Sequence, residues 1–265
     1  MSNKLGKVIV VKLGGATLGS HDTAIEDMVE LQKQGKSLVV VHGGGKLITE
    51  WLSKQGISSR FVRGERVTDE ATLEVVTSVL AGLVNKEIVA RINDLGGRAV
   101  GISGVDGSLI QAKIKDRELG YVGMIVKINL ALLEAILPSG YIPVVAPIGL
   151  HSVDKPDGAP PVLNINADAV AGEIAAAIGA ESLILLTDVD GICDQSGKLL
   201  PGLSPGEAEA LMVSGVISGG MIPKVEACLR ALSTTSTTSI IDGRQPHALL
   251  REIEGQGVGT TIKGD

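Results

Sequence analysis

Unbroken runs of β-branched and aliphatic residues, closed by glycine, constrain this chain more than any other feature. Val8–Leu13 (VIVVKL) ends at Gly14 and Gly15, and Leu38–Val41 (LVVV) ends at His42-Gly43-Gly44-Gly45. A strand wetted on one face alternates apolar and polar residues. One covered on both faces reads as a continuous apolar run, as these do. Further runs lie at Arg98–Ser103, Ile142–Ala146, Ser182–Leu186 and Thr237–Ile241.

Helical patterns separate them. Ile25, Met28, Val29 and Leu31 recur at helical spacing, and helices are expected over Lys46–Gln55, Thr72–Leu83, Lys86–Leu95, Ala167–Ile178 and Ile222–Leu232. Leu130–Leu137 should be stopped by Pro138, which lacks the N–H a helix needs. Ser204, Pro205 and Glu207 form an N-cap, an N1 proline and a capping-box glutamate. Gly104–Lys127, with Gly107, Gly120 and Gly123 between short apolar runs, reads as hairpins. Alternating strands and helices predict an α/β fold with a mainly parallel sheet and helices on both faces. No linker-like or low-complexity segment interrupts the 265 residues.

Composition narrows the function. Aromatic residues are 2% of the chain and its net charge is −6, which argues against a nucleic-acid partner needing stacking rings or a basic face. No apolar stretch approaches the roughly 18 residues of a membrane span, and no signal peptide is visible. Cys193 and Cys228 are the only cysteines. Two distant thiols form neither a disulfide framework nor a zinc site, so they are read as reduced and the expected location is cytoplasmic.

The glycine turns point to anions. Ligands in open α/β sheets sit beyond the carboxyl ends of the strands, where glycine lets backbone N–H groups approach and a following helix adds positive potential. Lys12 is the only charge within Val8–Leu13, and a lysine at the mouth of a buried strand needs an anion or a route to water. There is no GxxxxGK[ST] and no GxGxxG after the first strand, so neither the P-loop nor the dinucleotide fingerprint applies.

The second half adds its own set. Asn164 and Asn166, two apart in extended chain, should point the same way, and Asp168 should fall in a first helical turn. Plain Asn/Asp capping would explain the same residues. Thr187-Asp188-Val189-Asp190-Gly191 follows a buried strand with turn chemistry. Gly219-Gly220-Met221-Ile222-Pro223-Lys224 puts a lysine in a first helical turn, where the dipole opposes it and a phosphate would favour it.

Taken in order, VKLGG (Val11–Gly15), VHGGG (Val41–Gly45), RGERVTDEAT (Arg63–Thr72), LVNKEIV (Leu83–Val89), LNINAD (Leu163–Asp168), LLTDVDGI (Leu185–Ile192), GGMIPKV (Gly219–Val225) and GVGTTI (Gly257–Ile262) resemble the amino-acid kinase family. Within it, they resemble the branch that phosphorylates N-acetyl-L-glutamate. The resemblance implies an open three-layer α/β/α sandwich in two lobes. Residues 1–178 would bind the acyl amino acid and form a homodimer, and residues 179–265 would bind ATP. The implied reaction transfers the ATP γ-phosphoryl group to the substrate's γ-carboxylate, in arginine biosynthesis. Lys12 and Lys224 match the two transition-state lysines, and Asp168 the carboxylate orienting both. Gly14, Gly15, Gly44 and Gly45 match backbone donors, the latter two near the substrate. Arg66 matches the arginine that grips the α-carboxylate, and Asn164 and Asn166 match substrate-side residues. Asp188, Val189, Asp190, Gly191, Ile192, Cys193, Val216, Ile217 and Ser218 match nucleotide contacts. The resemblance also admits a PII-type regulatory protein as a partner.

Physical chemistry agrees with that assignment. Phosphoryl transfer needs in-line placement and neutralised charge, and a carboxylate nucleophile is ionised at neutral pH without a base. Mg²⁺ would ride mainly on ATP oxygens and water. His42 could serve as a base, but before a glycine turn it is read as structural. Several rivals share the fold: a kinase for carrier-linked aminoadipate, disfavoured by apolar Met221-Ile222-Pro223; carbamate, aspartate, glutamate and uridylate kinases, which the RVTDEAT and LNINAD blocks fit less well; and a silent amino-acid sensor, disfavoured by intact Lys12, Lys224 and Asp168. His247, Glu252 and Gly257 resemble half of an arginine site. The eleven residues before Lys12 leave little room for the extra helix of arginine-inhibited hexamers, so weak or no arginine inhibition is expected. Met124 stands where an acidic residue is expected.

Overall fold

The computed structural model describes residues 7–14 and 23–264. Gly15, named above among the backbone donors, lies outside them. The described chain runs β1 (Val8–Leu13), α1 (Ala24–Lys33), β2 (Ser37–His42), α2 (Gly45–Lys54), β3 (Phe61–Val62), β4 (Glu65–Arg66), α3 (Glu70–Thr77), a π-helix (Ser78–Val84) and α4 (Asn85–Asp94). It continues through β5 (Ala99–Ser103), β6 (Ile110–Ile114), β7 (Gly123–Ile128), α5 (Ala131–Ile136), β8 (Ile142–Ala146), β9 (Ile148–His151), β10 (Val162–Asn164) and α6 (Ala167–Ile178). It closes with β11 (Ser182–Thr187), β12 (Gly202–Leu203), α7 (Pro205–Val213), α8 (Ile222–Ala231), β13 (Thr237–Asp242), α9 (Ala248–Ile253) and β14 (Gly259–Lys263).

An eight-stranded sheet in the order β12-β14-β13-β11-β1-β2-β8-β5 forms the middle layer. Its pairs are parallel except β13 with β14. β1 is the hinge of this order. Strands that follow it in the first half lie on its β2 side, and those from β11 onward lie on the other. That reversal is a topological switch point, where such sheets open a crevice for ligands.

Both faces of the sheet are covered. Val8 and Val10 join a core with Val170, Ile174 and Ile178 of α6, while Ile9, Val11 and Leu13 join one with Ile25 of α1 and Ile88 of α4. By strand alternation Lys12 shares the face of Val8 and Val10, toward α6. A four-stranded sheet, β10-β9-β6-β7, and a β3–β4 hairpin complete the fold. Among the described residues no helix is long and apolar enough to cross a membrane.

Several elements differ from expectation. Pro138 does not end a helix outright: α5 stops at Ile136, and Pro138 sits inside a 3-10 turn, Leu137–Ser139, that extends it. The 3-10 geometry tolerates proline near its start, where its N–H has no partner to lose. Thr72–Leu83 is not one α-helix but α3 and a π-helix running into α4. The Gly104–Lys127 segment holds one antiparallel pair, β6–β7, rather than several hairpins. Met124 of β7 is 44% exposed, and nothing in the structure explains its departure from an acidic residue.

Candidate active site

The site begins with Lys12, which β1 delivers 6% exposed at the carboxyl end of the central strands. Such a burial penalises the ammonium, and it finds its anion in Asp168: Lys12 Nζ lies 2.8 Å from Oδ1. Asp168 stands in the first turn of α6, where Asn166 is the N-cap. Asn166 Oδ1 accepts hydrogen bonds from the amides of Asp168 at 2.8 Å and Ala169 at 3.3 Å. The capping explanation therefore describes Asn166, and its carbonyl is committed to the helix.

Lys224 reaches the same carboxylate from α8, donating to Asp168 Oδ2 at 3.0 Å. An exposed lysine in a first turn would oppose its helix dipole. Here the carboxylate offsets that conflict, and Lys224 is only 16% exposed at its side chain. Two ammonium groups thus share one buried carboxylate, leaving a net positive charge facing the crevice. Burial pushes the Asp168 carboxyl up, but Lys12 and Lys224 together outweigh it and hold it below the usual range. Burial pulls the Lys12 ammonium down, against the pull of Asp168 and alongside the repulsion of Lys224.

Lys12, Lys224, Gly14, Thr187, Asp188, Val189, Gly220 and Met221 line a cavity of about 430 Å³. That volume is in the range of small-molecule sites. Gly14 is required by close approach: a Cβ there would meet the Leu186 carbonyl oxygen at 2.9 Å. Thr187, Gly220 and Met221 belong to the motifs LLTDVDGI and GGMIPKV, and the cavity adds them to the site. Glycine before a helix, next to a lysine, was the available signal.

The remaining nucleotide candidates are placed less directly. Gly191 and Ile192 pack against β14, where the Ile192 amide donates to Thr260 Oγ1 at 2.8 Å. Cys193 forms an isolated bridge to Leu199, and Asp190 is exposed. Ile217 is buried in the core, Val216 is partly buried, and Ser218 is exposed at the turn leading to α8. Burial drives the Cys228 thiol up to about 12, so it is unreactive.

A second group forms around Arg66, 8% exposed on the β3–β4 hairpin. Its Nη1 donates to Ser59 Oγ at 2.6 Å, and its Nη2 to the Gly45 carbonyl at 3.0 Å and Thr49 Oγ1 at 2.8 Å. The guanidinium carbon lies 4.7 Å from the Phe61 ring centre. Arg66 is thereby anchored to the first turn of α2, whose N-cap is Gly44. Asn164 joins this group through Thr68, which accepts from Asn164 Nδ2 at 3.1 Å and donates to the Arg66 carbonyl at 2.9 Å. Ser59 and Thr49 are isolated hydroxyls with no sequence pattern, and Thr68 stands in RGERVTDEAT without a role of its own there.

The family model described as amino acid kinase family matches residues 7–242. The chain belongs to the amino acid kinase family. Its relatives include proteins named acetylglutamate kinase. That of Dehalococcoides mccartyi is 46% identical over 264 residues, covering 100% of this chain and 97% of its own. That of Nostoc sp. is 49% identical over 268 residues, covering 98% and 88%. Among solved structures, N-acetylglutamate synthase from Neisseria gonorrhoeae, complexed with coenzyme A and N-acetyl-glutamate, superposes with a TM-score of 0.84 at 26% identity. The match covers 98% of this chain and 60% of that one.

Proposed function

We propose that the chain phosphorylates the γ-carboxylate of N-acetyl-L-glutamate with ATP, giving the acyl phosphate and ADP. The observation that carries this is the shared carboxylate: Asp168 holds Lys12 and Lys224 at 2.8 and 3.0 Å at the sheet's switch point. Identity of 46% along 97% of a relative named acetylglutamate kinase supports the substrate.

Charge spreads over three phosphoryl oxygens as the group leaves ADP and meets the attacking carboxylate. Lys12 and Lys224 neutralise that charge from fixed positions, so little reorganisation is needed at the moment of reaction. Asp168 keeps both lysines in register. Gly15, with Gly44 and Gly45 near the acyl amino acid, would donate backbone N–H groups, while the Gly14 amide donates to the Leu186 carbonyl oxygen at 3.1 Å and holds the turn against β11. Arg66 grips the α-carboxylate with a fork that lysine lacks, beside Asn164 and Asn166. Asp188–Cys193 and Val216–Ser218 surround the nucleotide.

Among the described residues no three His, Cys, Asp or Glu side chains converge into a metal cage. In this reading Mg²⁺ would ride mainly on the nucleotide phosphates, where it would neutralise charge. The wider reading places substrate binding and a homodimer contact in residues 1–178 and ATP binding in residues 179–265. It also takes the location as cytoplasmic and admits a PII-type partner.

Hydroxylamine trapping tests the chemistry, because an acyl phosphate converts to a hydroxamate. ATP- and N-acetylglutamate-dependent hydroxamate supports the proposal. ADP release without hydroxamate contradicts it.

A further inference from the structure

His42 is fully buried at the end of β2, with 0% exposure, beside the equally buried Asn85. Its Nδ1 lies 2.8 Å from the Gly43 carbonyl oxygen, and its Nε2 lies 3.3 Å from Asn85 Nδ2. The orientation of the Asn85 amide follows from its other partners. On one side it faces the carbonyls of Val144 at 2.9 Å and Ile102 at 3.2 Å, which only an NH₂ satisfies. On the other side Lys86 Nζ donates to it at 3.0 Å, which only an oxygen accepts. Lys86 Nζ also donates to the Gly101 carbonyl at 3.0 Å. The amide nitrogen, with two hydrogens among three acceptors, therefore faces His42, so a proton on Nε2 would oppose an N–H group, whereas Nδ1 faces a carbonyl that can only accept. The single proton then sits on Nδ1 and is donated to Gly43.

That bond controls a peptide unit of the candidate site. The Gly43 carbonyl and the Gly44 N–H belong to one peptide group, and no described peptide bond is cis. In a trans peptide the two point in opposite directions. Fixing the carbonyl toward the buried ring turns the Gly44 N–H away from it, at the mouth of the ten-residue helix α2. The π-helix makes this possible by ending at Val84, directly before Asn85. It also presses Leu80 and Val84 against Gly44, where an added Cβ would lie 2.7 Å from Leu80 Cδ2.

We propose that His42 is a positioning residue: held in one tautomer by Asn85 and Lys86, it locks the Gly43–Gly44 peptide so that the Gly44 amide stays aimed at the reacting groups. This rests on the reading of Gly44 as a backbone donor in phosphoryl transfer. His42 exchanges no proton in the reaction. Burial lowers its pKa to about 4, so it stays neutral throughout the working range.

The test compares His42→Asn with His42→Leu. Asparagine places an N–H where Nδ1–H stood, and leucine places none. Leucine should lower kcat by about 10–100-fold, the loss typical of a misplaced donor, with KM for ATP little changed. Asparagine should recover most of that loss. Gly101→Ala is a remote control, because a Cβ there would collide with the Asn85 amide oxygen and Lys86 Nζ. It should lower kcat with His42 intact. ¹⁵N NMR of the unmutated chain, with the His42 signal assigned from its absence in His42→Asn, should show the Nδ1–H tautomer. Equal losses in both His42 variants overturn the proposal, as does an Nε2–H tautomer. If the unmutated chain consumes no ATP with N-acetyl-L-glutamate, the functional reading fails instead, and the NMR result still judges the tautomer.

Discussion

Lys224 and Asp168, 56 residues apart, meet at 3.0 Å across the first turns of two helices. Each first turn carries excess positive potential, so the carboxylate is favoured at its own position and the lysine is not. The pair is therefore asymmetric. Asp168 stabilises the arrangement, and Lys224 depends on it for its counter-charge.

Asp168→Asn should destabilise the fold as well as stop catalysis. It leaves Lys12, with its side chain 7% exposed, without a counter-charge and close to a second ammonium. Breaking a buried pair from one side costs about 3–5 kcal/mol. Urea unfolding should show a loss of that order at neutral pH. The Asp168 carboxyl is depressed in the folded state, so its contribution is present above the ordinary carboxylate pKa and fades as pH falls through the folded value. The variant should lack that part of the acid limb. A loss below about 1 kcal/mol would mean the lysines do not depend on Asp168.

Lys224→Ala should act on kcat. Removing one fixed donor to a transition-state oxyanion lowers rates by about 10²–10³-fold. Steady-state kinetics should show this with KM for ATP nearly unchanged, since the interaction grows only as charge develops. A mainly raised KM would reassign Lys224 to simple binding.

Arg66→Lys should raise KM for the acyl amino acid by about 10-fold or more, consistent with the loss of a charge-assisted hydrogen bond. A lysine cannot hold Ser59, Thr49 and the Gly45 carbonyl together, as the guanidinium does. KM for ATP should not move. Equal shifts in both constants would place Arg66 in overall stability rather than substrate recognition.

Gly172→Ala tests the spacing of α6 and α8. An alanine inside a helix ordinarily stabilises it over glycine by about 1 kcal/mol. Here a Cβ would meet the Ala227 carbonyl oxygen at 2.7 Å and its Cα at 2.9 Å, so α6 must move from α8. Those helices carry Asp168 and Lys224. Both Tm and kcat should fall, although no charged group is altered. A raised Tm with full activity would show that the spacing is not critical.

The sequence made the central sheet legible because its strands are long, apolar and covered on both faces. α6 reads cleanly for a related reason: Asn166 caps it, its interior is Ala-rich, and Gly179 closes it in a left-handed conformation at φ 63°. The capping box of Ser204 and Glu207 is present as expected. Of the four-stranded sheet only the β6–β7 pair was legible. β10 has only three residues and pairs antiparallel with β9, so no local periodicity announces it. β14, GTTIK, is mixed in polarity and lies antiparallel to β13, unlike the rest of its sheet. In the site, Lys12 stood out as a charge within an apolar run. Its carboxylate could not be read from spacing, because Asp168 arrives from α6, far along the chain. The hydroxyls around Arg66 and the Asn85 support of His42 depend on tertiary packing alone.

The most direct test of the central claim is kcat/KM for ATP consumption with N-acetyl-L-glutamate beside free glutamate, aspartate and α-aminoadipate, in the same preparation with Mg²⁺. N-acetyl-L-glutamate should exceed each of the others by at least about 10²-fold, the discrimination a site gains from polar groups matched to one substrate. A higher value for free glutamate, or for any other member of the set, would contradict the account.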